Sequence, residues 1–273
     1  LRKNIYLSAF TVAFFLLSSC GTGKLQVNGI TQEASVREYS VQSVMWQQNA
    51  AEYRALCYQA FTIAKLRLDQ FLESDQWERE KLAIVTDIDE TILDNSPYNA
   101  KLIQEDKEYT QDSWKDWTDR VEAKAIPGAV EFLDYTASQG VEVFYVTNRK
   151  FSERKATLEN LKKENFPFAD NNHLLLRSET SAKQSRFDKV AENYKILLFI
   201  GDNLGDFSSA FNVSSSAERN ELTDNLKERF GYDYIVLPNP MYGDWETNGI
   251  YEGKYEWNNR EKDSIRKAKI YAY

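Results

Sequence analysis

The segment Lys81-Leu-Ala-Ile-Val-Thr-Asp-Ile-Asp-Glu-Thr91 places Asp87 and Asp89 one residue apart, directly after an apolar run, Leu82 to Val85. A desolvated carboxylate without a partner is costly, so packing does not explain two of them at the end of a buried strand. Chemistry does: such a pair can hold a divalent cation and attack phosphorus. Three later segments offer complementary groups: Val146-Thr147-Asn148-Arg149, Ser181-Ala182-Lys183-Gln184-Ser185-Arg186 and Gly201-Asp202-Asn203-Leu204-Gly205-Asp206.

Each residue type suits phosphoryl transfer. Asp87, at the strand end, is the nucleophile, and an aspartyl-phosphate would split hydrolysis into two steps. Asp89 can protonate the leaving oxygen and later deprotonate water. A hard cation would offset repulsion between the nucleophile and the phosphate. Asp87 and Asp202, with the main-chain carbonyl of Asp89, can make its site, and Asp206 supports it directly or through water. Thr147 supplies a hydroxyl and Lys183 a point charge for the phosphoryl oxygens. Asn148, Arg149 and Arg186 are read as substrate-side groups at the rim. The plainer alternatives are a helix cap or turn for the aspartates, a backbone bond for Thr147, a solvated Lys183 and structural ion pairs for the arginines.

For these groups to meet, the chain must bring several strand ends together. Apolar runs at Leu82–Thr86, Val141–Thr147, His173–Leu176, Ile196–Ile200 and Tyr234–Leu237 read as strands. Helix-length segments lie between them: Ala129–Gln139, Ser152–Glu164, Lys183–Asn193 and Ser216–Phe230. The alternation predicts an α/β fold, a Rossmann-like parallel sheet flanked by helices, and ligands of such sheets bind beyond the carboxyl ends of the strands. Residues 35–80 form an N-terminal helical region, with the stripe Leu56, Ala60, Ile63, Ala64, Leu68 and Phe71 as its core face. Residues 81–238 are the sheet-bearing core. Within it, 94–126 is an insertion expected to fold over the sheet edge as a cap. The tail, 239–273, is expected to pack on the helical region.

A formal net charge of −8 argues against a polyanionic partner, so any phosphate site must be locally basic or borrow charge from a metal. The N-terminus reads as a targeting segment: Arg2 and Lys3, an apolar stretch from Ile5 to Leu17, then Ser18-Ser19-Cys20. The run is short for a membrane span. Residues 1–19 are expected to be a lipoprotein signal, Cys20 the acylated residue, and 20–34 a tether. With Cys20 lipidated, the second cysteine, Cys57, has no partner and reads as a buried core thiol. The lone His173 reads as structural.

Together these residues resemble the phosphatase branch of the haloacid dehalogenase superfamily, whose four motifs match Asp87-x-Asp89-x-Thr91, Thr147, Lys183 and Asp202 with Asp206. Further stretches resemble the class C acid phosphatases, bacterial lipoprotein enzymes of which many are 5′-nucleotidases: Trp46 to Leu56, Ser96-Pro97-Tyr98, Trp114-x-x-Trp117, Ile126-Pro127-Gly128-Ala129 and Gly201 to Phe207. The resemblance implies a magnesium-dependent acid phosphatase for phosphate monoesters, nucleoside 5′-monophosphates foremost. It also implies a helical accessory domain, aromatic residues that sandwich a flat leaving group (Trp114 and Tyr242 here), and a tendency to form homodimers. Gly21 after Cys20 implies outer-membrane sorting, with the catalytic domain outside the cytoplasm. Two alternatives stand beside this reading: a non-catalytic ligand-binding or adhesin lipoprotein on the same fold, and a phosphotransferase.

Overall fold

The computed structural model describes residue 35, residues 37–74 and residues 81–273. The signal segment, Cys20 and the tether lie outside the described residues. Among the described residues, no helix is long and apolar enough to cross a membrane.

After a short 3-10 turn, Glu38–Ser40, come helices α1 (Val41–Asn49) and α2 (Ala51–Leu72). The single helical region expected here is broken at Ala50, whose extended backbone (ψ 126°) caps α2. The break lets the two halves serve different partners. Helix α1 packs on α3 (Ser96–Glu105) of the insertion, and α2 packs on α5 (Ala129–Ser138) of the core. No Gly or Pro interrupts α2, and its buried stripe is Tyr53, Cys57, Ala60, Phe61, Ala64 and Leu68. Leu56, expected in that stripe, is exposed. Leu56 and Cys57 both keep helical spacing to Ala60, so periodicity alone cannot choose between adjacent faces. Cys57 is fully buried beside Tyr53, and burial pushes its thiol up to about 11.

The core sheet comprises β1 (Leu82–Thr86), β4 (Glu142–Lys150), β5 (Leu174–Arg177), β6 (Lys195–Gly201) and β7 (Tyr234–Val236). They are all parallel, in the order β5-β4-β1-β6-β7. Its buried strands are rich in Val, Ile, Leu and Phe, as expected where both faces are covered. Helices α6 (Arg154–Lys163), α7 (Gln184–Ala191) and α8 (Ser216–Asn225) follow β4, β5 and β6. The chain runs outward from β1 to β4 and β5, then returns to the other side of β1. The strand order therefore reverses at β1, where a crevice is expected at the carboxyl ends.

The insertion leaves from this central strand, which corrects the expectation that it folds over an edge. Its base is a short antiparallel pair, β2 (Leu93–Asp94) with β3 (Lys124–Ala125), and it carries α3 and α4 (Gln111–Thr118). Tyr98 and Trp114 from these helices line the same cavity as Asp87 and Asp89. The tail forms a π-helical turn, Trp245–Ile250, and helix α9 (Asn259–Ala268). The Arg266 guanidinium lies 3.7 Å from the Tyr39 ring, and Lys262 pairs with Glu108 of the insertion. His173 is held between Glu142 (2.8 Å) and Asp170 (2.9 Å), a structural role.

Candidate active site

The carboxyl ends of β1, β4 and β6 and the start of α7 open onto a cavity of about 490 Å³. Asp87 follows β1 and donates its N–H to the Ile200 carbonyl, so the sheet's own bonding extends to the residue that carries the carboxylate. Asp202 follows β6. Asp206 sits at the end of a 3-10 turn, Leu204–Asp206, that folds back over Gly201. A Cβ on Gly201 would lie 2.4 Å from that of Asp206, so only glycine lets Asp206 come this close.

Asp87, Asp202 and Asp206 offer carboxylate oxygens all within 4.8 Å of one another. Lys183, just before α7, reaches Asp206 at 2.8 Å and also bonds Asp87. Each outer carboxylate is further held: Asp202 by the Thr91 hydroxyl and the Asn239 amide (both 2.8 Å), Asp206 by the Asn203 N–H (2.9 Å). Burial pushes Asp87 up to about 7, with Lys183 opposing and Asp206 and Asp89 reinforcing. Burial, Asp206 and Asp87 hold Asp202 well above the usual carboxylate range. Burial works against the Lys183 ammonium, but Asp206 and Asp87 outweigh it, so its pKa lies above the ordinary lysine value.

Three carboxylates against one ammonium leave a formal excess of about two negative charges when all ionise, which a divalent cation would cancel. Oxygen donors of this kind suit a hard ion. The donor set therefore fits a divalent-cation site.

Asp89 lies in different surroundings. Its carboxylate Oδ1 accepts from Arg149 Nη2 (2.7 Å), Arg149 Nε (3.0 Å) and Asn95 Nδ2 (2.9 Å). Among the described residues, its Oδ2 accepts only from Arg149 Nε, at 3.1 Å. The side chain is thus turned from the acidic cluster, consistent with a separate role. Arg149 is buried, and its remaining nitrogen, Nη1, donates to Thr157 (3.2 Å). It lines the cavity from a buried position beside Asp89 rather than from an exposed rim. Arg186 departs further from its expected role. It is absent from the cavity wall, and its donors go to the carbonyls of Thr147, Ser181 and Ala182 and to Asn148 Oδ1. It ties the end of β4 to the start of α7, because a buried guanidinium must satisfy its donors inward.

Thr147 is fully buried, and its hydroxyl accepts the Arg149 N–H at 3.1 Å. Asn148 is exposed and lines the cavity. Trp114 and Tyr242 also line it. Trp114 is mostly buried, edge-on to Tyr98 with ring centres 5.1 Å apart, so little of its face is free. Tyr109, half exposed on the same wall, offers more surface. The sequence reading missed it because nothing in Lys107-Glu108-Tyr109-Thr110 marks a ring that the cap will turn inward. Glu90 and Asn95 were missed too. Both are fully buried, and Glu90 adopts a left-handed backbone (φ 60°), a conformation that costs about 1–3 kcal/mol outside glycine. A polar Glu90 and Asn95 flanking an apolar Ile92-Leu93 turn was the available signal.

A parallel sheet that places acidic groups around a lysine at its switch point, beneath a helical cap, defines a phosphatase of the haloacid dehalogenase type. Residues 14–245 match the family described as HAD superfamily, subfamily IIIB (Acid phosphatase), and the chain belongs to that family. Among solved structures, it is similar to the class C acid phosphatase from Bacillus anthracis, both with tungstate bound (38% identity, TM-score 0.84) and in a second structure (38%, TM-score 0.83). Each match covers 88% of this chain and 99% of the other. Two plant proteins are more distant relatives. They are the stem 31 kDa glycoprotein of Glycine max (26% over 161 residues) and acid phosphatase 1 of Solanum lycopersicum (26% over 166 residues). The matched segments span 57–58% of this chain and 57% of each plant protein.

Proposed function

We propose that this chain hydrolyses phosphate monoesters through an aspartyl-phosphate on Asp87, with nucleoside 5′-monophosphates among its substrates. The observation that carries the reading is the division of acidic groups in one cavity: Asp87, Asp202 and Asp206 gathered together, with Lys183 on Asp87 and Asp206, and Asp89 apart on Arg149.

An Asp87 oxygen attacks phosphorus as the ester P–O bond breaks. The leaving oxygen keeps the electron pair and takes a proton from Asp89, so a neutral alcohol departs. Asp89, now ionised, then removes a proton from water as that water attacks phosphorus. The Asp87–phosphorus bond breaks, inorganic phosphate leaves and both carboxyl groups return to their starting states. Lys183 orients Asp87 and offsets charge on the phosphoryl oxygens. Thr147, buried and absent from the cavity wall, accepts the main-chain N–H of Arg149 and so holds the end of β4 in place. Magnesium, held by Asp87, Asp202 and Asp206 with the Asp89 carbonyl, would supply charge neutralisation at the nucleophile and the phosphoryl group.

Nucleotide preference rests on the aromatic wall of Tyr109, Trp114 and Tyr242, which suits a flat leaving group. The tungstate in the Bacillus anthracis enzyme, a tetrahedral oxyanion like phosphate, supports an oxyanion site on this fold. The N-terminal signature supports anchoring through acylated Cys20, with the catalytic domain outside the cytoplasm and the outer membrane as its destination. Loss of palmitate labelling in Cys20→Ser would test the anchor.

Phosphate release from 4-nitrophenyl phosphate and from nucleoside 5′-monophosphates, with and without magnesium, tests the activity. Magnesium-dependent turnover of both is expected. No turnover of any ester in the presence of magnesium would contradict it.

A further inference from the structure

Asn95 lies just after β2, at the root of the cap, and its side chain is completely buried. Its main-chain N–H donates to Glu90 Oε1 at 2.8 Å. Its side-chain Nδ2 donates to Asp89 Oδ1 at 2.9 Å, with longer contacts to Glu90 Oε2 and the Leu93 carbonyl, both 3.4 Å. Its Oδ1 accepts from the indole Nε1 of Trp117, in α4 of the cap, at 2.8 Å. An indole N–H can only donate. Trp117 therefore fixes which end of the amide faces it, and the other end, the NH₂, must face Asp89.

We infer that Asn95, locked by Trp117, is a positioning residue that acts with Arg149 to set which oxygen of Asp89 meets the leaving group. The inference rests on the acid/base role proposed for Asp89. Oδ1 is already engaged by Asn95 Nδ2, Arg149 Nη2 and Arg149 Nε. Oδ2 has one donor at 3.1 Å and keeps a lone pair open on a side chain that lines the cavity. The transferable proton therefore belongs on Oδ2. It passes from there to the ester oxygen as the P–O bond breaks, and the electron pair of the Oδ2–H bond stays on the carboxylate. Arg149 already favours this arrangement, since its Nη2 donates to Oδ1 at 2.7 Å while its Nε lies almost equally from both oxygens, at 3.0 and 3.1 Å. The donor from Asn95 adds a third bond to the same oxygen and deepens that asymmetry. Because Trp117 belongs to the cap, the cap's seat and the aim of the proton donor are set by one hydrogen-bonded chain.

The prediction is specific to the step that needs the proton. A 4-nitrophenolate leaves readily without one, whereas an aliphatic alkoxide does not. First-turnover rates of alcohol release, measured on magnesium-loaded protein across a series of phosphate esters of rising leaving-group basicity, read this directly. Asn95→Ala is expected to lose about tenfold or more on the most basic leaving group and less than about threefold on 4-nitrophenyl phosphate, with KM nearly unchanged. Trp117→Phe keeps an apolar ring but frees the amide to turn its oxygen toward Asp89, so it should tilt the series in the same direction. It also decides the matter should Asn95→Ala fold poorly. Equal losses across the series, or no loss in either variant, overturn the inference. Asp89→Asn separates it from its parent reading. If that variant shows the tilt and the Asn95 and Trp117 variants do not, only the positioning role falls. If Asp89→Asn shows no tilt, the acid role of Asp89 falls and this inference with it.

Discussion

Asp87 and Asp89 leave the same turn two positions apart, yet they enter opposite kinds of environment. Asp87 joins a floor of three carboxylates, two of which, Asp87 and Asp206, share the Lys183 ammonium. Asp89 joins a wall in which a buried guanidinium and an amide converge on a single carboxylate. The floor has surplus negative charge, whereas at the wall the Asp89 carboxylate is matched by the Arg149 guanidinium. A site of surplus charge is built to take up a cation. A site of matched charge is built to hold one side chain still. The difference follows from topology: the floor draws on β6 and α7 on one side of β1, the wall on β4 and the cap.

Substitutions should separate the two regions, and removal of the nucleophile should have the largest effect. Asp87→Asn is expected to lower kcat by at least about a thousandfold on every ester, whatever its leaving group. A selective loss confined to basic leaving groups would blur the division between the two aspartates. Next is Lys183→Ala, which strips the floor of its only cation. Breaking a buried pair costs about 3–5 kcal/mol. The melting temperature should fall markedly without magnesium and recover in part with it; no recovery would mean that the floor does not take up the ion.

The wall should respond to shape more than to charge. Arg149→Lys keeps the charge but loses the fork that spans Asp89 and Thr157. A loss in kcat of about 10- to 100-fold is expected, with KM within about threefold. Wild-type kinetics in this variant would show that a point charge suffices.

A smaller effect concerns protons on the floor. Raised carboxylates such as Asp87 and Asp202 favour the folded state below the ordinary carboxylate pKa, about 4, and that contribution is lost as pH climbs through about 7, the Asp87 value. A divalent cation competes with those protons. The rise in melting temperature on adding millimolar magnesium should therefore be larger near pH 7 than near pH 5. Equal increments at the two pH values would contradict the assignment of the floor as the cation site.

The two regions were not equally legible in the sequence. The floor was readable, since Asp87 and Asp202 each follow an apolar run, Lys183 opens a helix and Asp206 lies four residues past Asp202, and parallel strands gather such ends by geometry alone. The wall was not. Arg149 read as a rim group because its sequence neighbours are polar, and only the fold shows that β4 continues to Lys150 and carries the guanidinium inward. Asn95 and Trp117 are 22 residues apart, and their bond depends on how the cap closes on its own base. Periodicity placed α2 and its core face but missed at Leu56, because Leu56 and Cys57 are both one turn from Ala60.

The division of labour between the two aspartates can be tested at the covalent step. Magnesium-loaded protein is turned over with a phosphate ester and quenched in acid. The acyl phosphate is reduced with borohydride, and the peptide spanning residues 81–91 is sequenced by mass spectrometry. The account predicts homoserine at position 87 and unmodified aspartate at position 89. Homoserine at position 89, or no reduced residue under conditions where phosphate is released, would contradict it.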